Sequence, residues 1–136
     1  MSFALDHLGI AVRSLADAKI IYEKLGLVLS PEEVVPGENV RVMMVPVGET
    51  RLELLEPTSA DSVIARFIAK RGEGLHHISI RVPDLKFAVQ KLKSEGTRLV
   101  SDEIKVGAGG HLYVFVHPSS AGGVLLELCE DPPLGV

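Results

Sequence analysis

The chain contains a version of itself twice. Residues 4–12, ALDHLGIAV, have a counterpart in residues 74–82, GLHHISIRV. Each is followed by a helical pattern, SLADAKIIYEKLGL after the first and PDLKFAVQKLKSEGT after the second. His7 and His77 fall at matching places, 70 residues apart (77 − 7). Further on, TRLELLEP at 50–57 matches VLLELCEDP at 124–132, which sets Glu53 against Glu127, 74 apart (127 − 53). Two anchors in the same order at a nearly constant offset define two copies of a strand–helix–strands unit of about 65–70 residues. The expected organisation is one domain over residues 1–136, with module one at about 4–57 and module two at about 74–131. Each module needs the other to complete a site.

Local patterns fill in the modules. Ala4–Val12 alternates, with Leu8, Ile10 and Val12 on one face, as a half-buried strand does. A helix is expected from about Ala16 to Leu25, with Ser14 or Asp17 near its start and Gly26 at its end. Strands are expected near Leu27–Glu32, Val40–Val47 and Thr50–Glu56, with Gly48-Glu49 as a hairpin turn. Asp61–Arg71 reads as a linking helix with Ser59 or Asp61 at its start. The second module repeats the order: strand 74–82, helix about 84–95 ended by Gly96, then strands near 97–101, 111–117 and 123–130. Gly107–Gly110 reads as a flexible loop and residues 131–136 as a frayed tail.

Composition narrows the setting. Of 136 residues, 46% are hydrophobic, enough for a folded core and too many for a disordered chain. A single cysteine cannot form an internal disulfide, which points to a reducing compartment. A net charge of −4 gives no general attraction to nucleic acid. No apolar run approaches the roughly 18 residues of a membrane span, and the first residues lack a basic start and small-residue end. The expectation is a cytoplasmic protein with neither nucleic acid nor membrane as partner.

Side-chain alternation then sorts the five histidines. In a strand, residues i and i+2 share a face. His7 lies with Leu5, Gly9 and Ala11, opposite Leu8, Ile10 and Val12. His77 lies with Ser79 and Arg81, opposite Ile78, Ile80 and Val82. The apolar triplets are the natural surface for the helices to cover, so both histidines point away from them. Glu53 lies opposite Leu52 and Leu54, and Glu127 opposite Leu126 and Leu128. Four strands thus direct one metal-competent side chain each away from the helices. Two imidazoles and two carboxylates are the donors used by Zn, Co, Ni, Mn or Fe(II), and metals that prefer soft thiolate are disfavoured. Singly, each residue reads as structural or solvated. The duplication is what makes convergence on one ion the better reading. His76 matches Asp6 and should face the helices as a structural residue. His111 reads as exposed, and His117 as shaping a turn or lining a pocket mouth. Cys129 shares the Glu127 face, where a small apolar role is expected. The GAGG at 107–110 lacks the strand-to-helix context of a nucleotide loop.

The pieces DHLGIAV, LELLEP, GEGLHHISIRV and FVHPSSAGGVLLEL, in this order and spacing, resemble the methylmalonyl-CoA epimerase family of the vicinal oxygen chelate superfamily, which has the glyoxalase-type fold. The resemblance spans residues 4–130. It implies an α+β fold, two tandem βαβββ modules forming one curved mixed sheet, a cup around a metal site with helices outside. By motif match it implies His7, Glu53, His77 and Glu127 as metal ligands. Co(II) is the implied ion, with Zn, Ni, Mn or Mg as alternatives. A homodimer acting on a small acyl-CoA is also implied. The implied reaction interconverts (2R)- and (2S)-methylmalonyl-CoA. A proton leaves the α-carbon and returns on the opposite face, and a divalent ion stabilises the enolate as a Lewis acid.

Two positions depart from the family pattern. Some members carry a Glu base in the strand before LELLEP, where this chain reads NVRVMMVP and offers Val42, or Arg41 with a one-residue slip. Glu127 is then the candidate for one base and Glu53 for the other. Many members have Lys after HP, which here is Ser119, leaving Lys105, Arg41 or Arg81 to meet CoA phosphates. Three other functions fit parts of the pattern. A glyoxalase-like lyase needs the same ligands. An Fe(II) ring-cleaving dioxygenase needs two His and one carboxylate, which Glu53 overfills. A metal-free drug-sequestering protein needs none of the four.

Overall fold

The duplication is visible in the strand order. In a computed structural model that describes residues 3–132, the described chain divides into two compact units, residues 7–76 and residues 3–6 together with 77–132. The first contains most of β1 (Ala4–Ala11), then α1 (Leu15–Ala18), α2 (Ile20–Lys24), β2 (Glu33–Val35), β3 (Val40–Val47), β4 (Thr50–Pro57) and the linking helix α3 (Val63–Arg71). The second contains β5 (Gly74–Arg81) from His77 onward, α4 (Leu85–Ser94), β6 (Lys105–Val106), β7 (Leu112–Val116) and β8 (Leu126–Glu130). In the first unit the strands lie in the order β2-β3-β4-β1, and in the second in the order β6-β7-β8-β5. In both, the first strand is parallel to the last and the remaining pairs are antiparallel. The architecture is mixed α+β, with the expected βαβββ order in each unit.

The helix starts are duplicated too. Ser14 accepts a hydrogen bond from the Asp17 N–H, and Asp84 accepts one from the Phe87 N–H. Such caps satisfy donors that the helix itself leaves unpaired. A second carboxylate completes each start: Glu56 accepts from the Leu15 N–H and Glu130 from the Leu85 N–H, both at 2.8 Å. Each helix lays its first leucine on its own sheet. Leu15 is buried with Met43, Val45 and Leu54, and Leu85 with Val89, Val114, Val116 and Leu128. Burying one such side chain is worth roughly 1.5–3 kcal/mol. The apolar faces are therefore used up by the helices, which leaves the opposite faces to carry the polar residues.

Several elements differ from expectation. The helix expected over 16–25 is interrupted at Lys19, which keeps helical φ −71° and ψ −18°, and it stops at Gly26 with φ +91°. The strand expected at Leu27–Glu32 is instead β2 at Glu33–Val35. Ser30 does touch β3, donating its N–H to the Met44 carbonyl, but Pro31 follows with no N–H to extend a ladder. Leu27 and Leu29 alternate because they feed the core. In the second unit the stretch 97–101 makes only an isolated bridge, Leu99 to Val116, and the paired strand is Lys105–Val106. Helix α3 is capped by Ser62, whose hydroxyl accepts from the Ile64 and Ala65 N–H groups, in place of Ser59 or Asp61. The Gly48-Glu49 hairpin forms as read, with Val47 paired to Thr50 and Gly48 at φ +61°. Gly107 begins a turn that runs through a 3₁₀ segment at Ala108–Gly110. Of the expected tail, residues 133–136 lie outside the described residues. Among the described residues no helix is long and apolar enough to cross a membrane.

Candidate metal centre

Register fixes which side chains share a face. In the first unit Gly9 is paired with Glu53 across β1 and β4, so Glu53 is on the face of His7, Gly9 and Ala11. In the second, Ser79 is paired with Glu127 across β5 and β8, so Glu127 is on the face of His77 and Ser79. The two registers are equivalent under the duplication. All four candidate residues are buried, with exposures of 6% for His7, 9% for Glu53, 4% for His77 and 8% for Glu127. A solvated role for the two glutamates is thereby overturned: strand carboxylates this deep are retained only with polar or ionic partners.

Each unit brings one imidazole to one carboxylate. His7 Nε2 is 3.4 Å from Glu53 Oε1, and His77 Nε2 is 3.9 Å from Glu127 Oε1. Nitrogen and oxygen donors each about 2.0–2.2 Å from one divalent ion lie roughly 3–4 Å apart. Both pairs match that spacing, and the second is too long for a direct hydrogen bond. His7, His77 and Glu127 are buried residues of the kinds that could hold a metal ion. The donor chemistry fits a borderline-hard divalent cation with no sulfur ligand.

The neighbours hold these groups in place. Phe115, paired with Glu127 across β7 and β8, meets the His77 ring edge-on at 5.4 Å, and Tyr113 meets Phe115 at 5.7 Å. Ser79, fully buried, donates its hydroxyl to Oε2 of Glu127. Its oxygen also lies 3.3 Å from Cys129 Sγ. Burial pushes the Cys129 thiol up to about 12, and the carboxylates of Asp6, Glu127 and Asp131 add to the shift while the Ser79 hydroxyl opposes it. Cys129 is therefore a protonated thiol at neutral pH, as its expected inert role requires. At pH 8 only about one thiol in 10⁴ would be ionised. The native protein is expected to resist iodoacetamide at that pH and to take up one label per chain in denaturant. Stoichiometric labelling of folded protein within minutes would refute this.

The positions flagged as departures are now placed. Val42 is buried and paired with Leu55, on the face of Glu53. Arg41 is on the other face, ion-paired with Glu56 and 3.6 Å from Glu32. Of the two alternatives, the one on the Glu53 face is thus an apolar side chain. Arg81 is 3.3 Å from the buried Asp6 and 3.7 Å from Asp131, so it too is engaged, whereas Lys105 is exposed. His76 stands edge-on to Phe67 of α3 at 4.9 Å, the helix-facing role expected of it. His117 caps the Pro118–Ser120 turn, its Nδ1 accepting the Ser119 N–H at 3.0 Å. His111 departs from its exposed reading: it is half-buried with Nδ1 3.2 Å from Asp131. Sequence reasoning missed the Ser79–Glu127 bond, although Ser79 had been placed on the right face. It also missed Glu56 and Glu130, which obey the same 74-residue offset (130 − 56) as the glutamates beside them.

Comparison with known proteins gives the family. Residues 6–115 match the model of the Glyoxalase/Bleomycin resistance protein/Dioxygenase superfamily. Human mitochondrial methylmalonyl-CoA epimerase is 42% identical over 126 residues, covering 91% of this chain and 72% of the human protein. A hypothetical protein from Bacillus halodurans, solved as a crystal structure, superposes with a TM-score of 0.94 at 43% identity, covering 100% of this chain and 99% of that one. A variant of the Streptomyces coelicolor methylmalonyl-CoA epimerase, solved in complex with 2-nitronate-propionyl-CoA, superposes with a TM-score of 0.89 at 33% identity, covering 94% of each chain. The chain belongs to the Glyoxalase/Bleomycin resistance protein/Dioxygenase superfamily and, within it, to the methylmalonyl-CoA epimerase family.

Proposed function

We propose that this protein epimerises methylmalonyl-CoA at C2 by a metal-dependent proton transfer. The observation that carries the reading is the pair of equivalent His–Glu couples, His7 with Glu53 and His77 with Glu127, in a member of the epimerase family. His7, Glu53, His77 and Glu127 together would hold one divalent ion, with Co(II) the first candidate and Zn, Ni, Mn or Mg the alternatives. When bound, the ion supplies positive charge that stabilises the charge developing on the thioester oxygen. The two modules act as a single domain in this reading, and the protein works as a cytoplasmic homodimer in propionate metabolism.

The protein's own residues move the proton. One carboxylate takes the C2 proton as its C–H bond breaks, and the electron pair passes into the thioester. A proton then returns to C2 on the opposite face, and the (2R) and (2S) forms interconvert with no change in composition. Glu127 is the candidate for one base and Glu53 for the other, since Val42 has no proton to exchange. The test is deuterium incorporation at C2 of methylmalonyl-CoA in D₂O, with Co(II) supplied and product read by mass spectrometry. Incorporation with inversion supports the reading. Absence of exchange after metal is restored overturns it.

A further inference from the structure

We propose that Ser79 is a positioning residue for Glu127: its hydroxyl holds Oε2 of the carboxylate and leaves Oε1, the oxygen nearer His77, to meet the divalent ion. This rests on the proposed role of Glu127 as a ligand. Three observations within one unit carry it. Ser79 is fully buried, directly paired with Glu127 in the parallel β5–β8 register, and bonded to Oε2. Oε1 is the carboxylate oxygen that faces His77 Nε2, at 3.9 Å. The two oxygens of Glu127 are therefore divided between a hydroxyl on one side and an imidazole on the other.

Counting protons gives the bond its direction. A serine hydroxyl has one proton to donate and two lone pairs to accept with. Its neighbours are the Glu127 carboxylate and Cys129 Sγ. A carboxylate oxygen is the stronger acceptor of the two, and the Ser79 hydroxyl donates to Glu127 Oε2. The duplication shows that the sheet does not require it. The residue opposite Glu53 in the equivalent register is Gly9, which has no side chain to donate. A hydroxyl that the fold can omit in one copy and buries in the other serves the carboxylate beside it.

Outer hydrogen bonds to ligating carboxylates set their orientation, and losing one typically weakens metal binding about 10–100-fold. The experiment titrates Co(II) into metal-free wild type and Ser79→Ala, followed by calorimetry and by the visible absorption of the bound ion. The expected result is a 10–100-fold weaker affinity and a shifted spectrum in Ser79→Ala, with the metal-free thermal transition within a few degrees of wild type. Ser79→Thr, which keeps the hydroxyl, should recover most of the affinity. If Ser79→Ala does not fold, Ser79→Cys takes its place, since a thiol is a weaker donor. Affinities ordered Ser and Thr above Cys support the assignment. Equal affinity and an unchanged spectrum in the folded variants overturn it while leaving the metal reading intact. Failure of wild type to bind Co(II) overturns both.

Discussion

Glu127→Ala is expected to slow C2 proton exchange by about 10³-fold or more, the upper part of the range for losing a general base. The variant removes a buried carboxylate that stands directly across from Ser79 with Oε1 toward His77. It deletes a proposed base and a proposed ligand in one step, so the loss should exceed that of any single neighbour. Glu127→Gln separates the two roles. The amide has nearly the shape of the carboxylate and keeps a carbonyl oxygen for the ion, but it cannot take a proton. It should retain measurable Co(II) binding while exchange stays near the level of Glu127→Ala. The readout is the rate of deuterium incorporation at C2, with Co(II) affinity measured on the same preparations. A near-native exchange rate in either variant would remove Glu127 from the base role.

That Glu127 could be singled out at all follows from how strands display side chains. The period of two makes a face predictable from sequence, and the duplication supplied a second copy against which to check it. His7, Glu53, His77 and Glu127 were legible for that reason, and the observed registers Gly9–Glu53 and Ser79–Glu127 agree with the face assignments. What failed was pairing between strands. Leu27–Glu32 and 97–101 alternate as strands do, yet the alternation reflects Leu27, Leu29 and Leu99 packing on the cores, and their backbones make few ladder bonds. Short pieces such as Lys105–Val106 carry too few residues for a period to show. Contacts between residues distant in sequence, such as Ser79 with Glu127 or His111 with Asp131, depend on register and loop geometry, which a single sequence does not display. The choice between Val42 and Arg41 shows the same limit. A one-residue slip moves a side chain to the other face, and the observed pairing of Val42 with Leu55 puts Val42, not Arg41, on the face of Glu53.

Removal of bound metal is the second large effect expected. Dialysis against a strong chelator should abolish C2 exchange, and stoichiometric Co(II) should restore it. The argument is electrostatic. Deprotonating a carbon beside a thioester develops negative charge on the thioester oxygen, and Arg81 is already engaged with Asp6 and Asp131. A bound divalent ion can contribute several kcal/mol to that charge, which corresponds to at least about 10²-fold in rate. On the proposed ligand set the same ion should stabilise the fold, because its four donors come from widely separated parts of the chain. At a free metal concentration about 100 times Kd the gain is about 2.7 kcal/mol, or roughly 10 °C in Tm for a domain of this size. Thermal unfolding with and without Co(II), run beside the exchange assay, measures both. His7→Ala and His77→Ala should each flatten the response of Tm to metal, since each deletes a nitrogen donor. Full exchange activity in chelated protein, together with a Tm that Co(II) does not move, would show that neither the chemistry nor the fold depends on a metal ion.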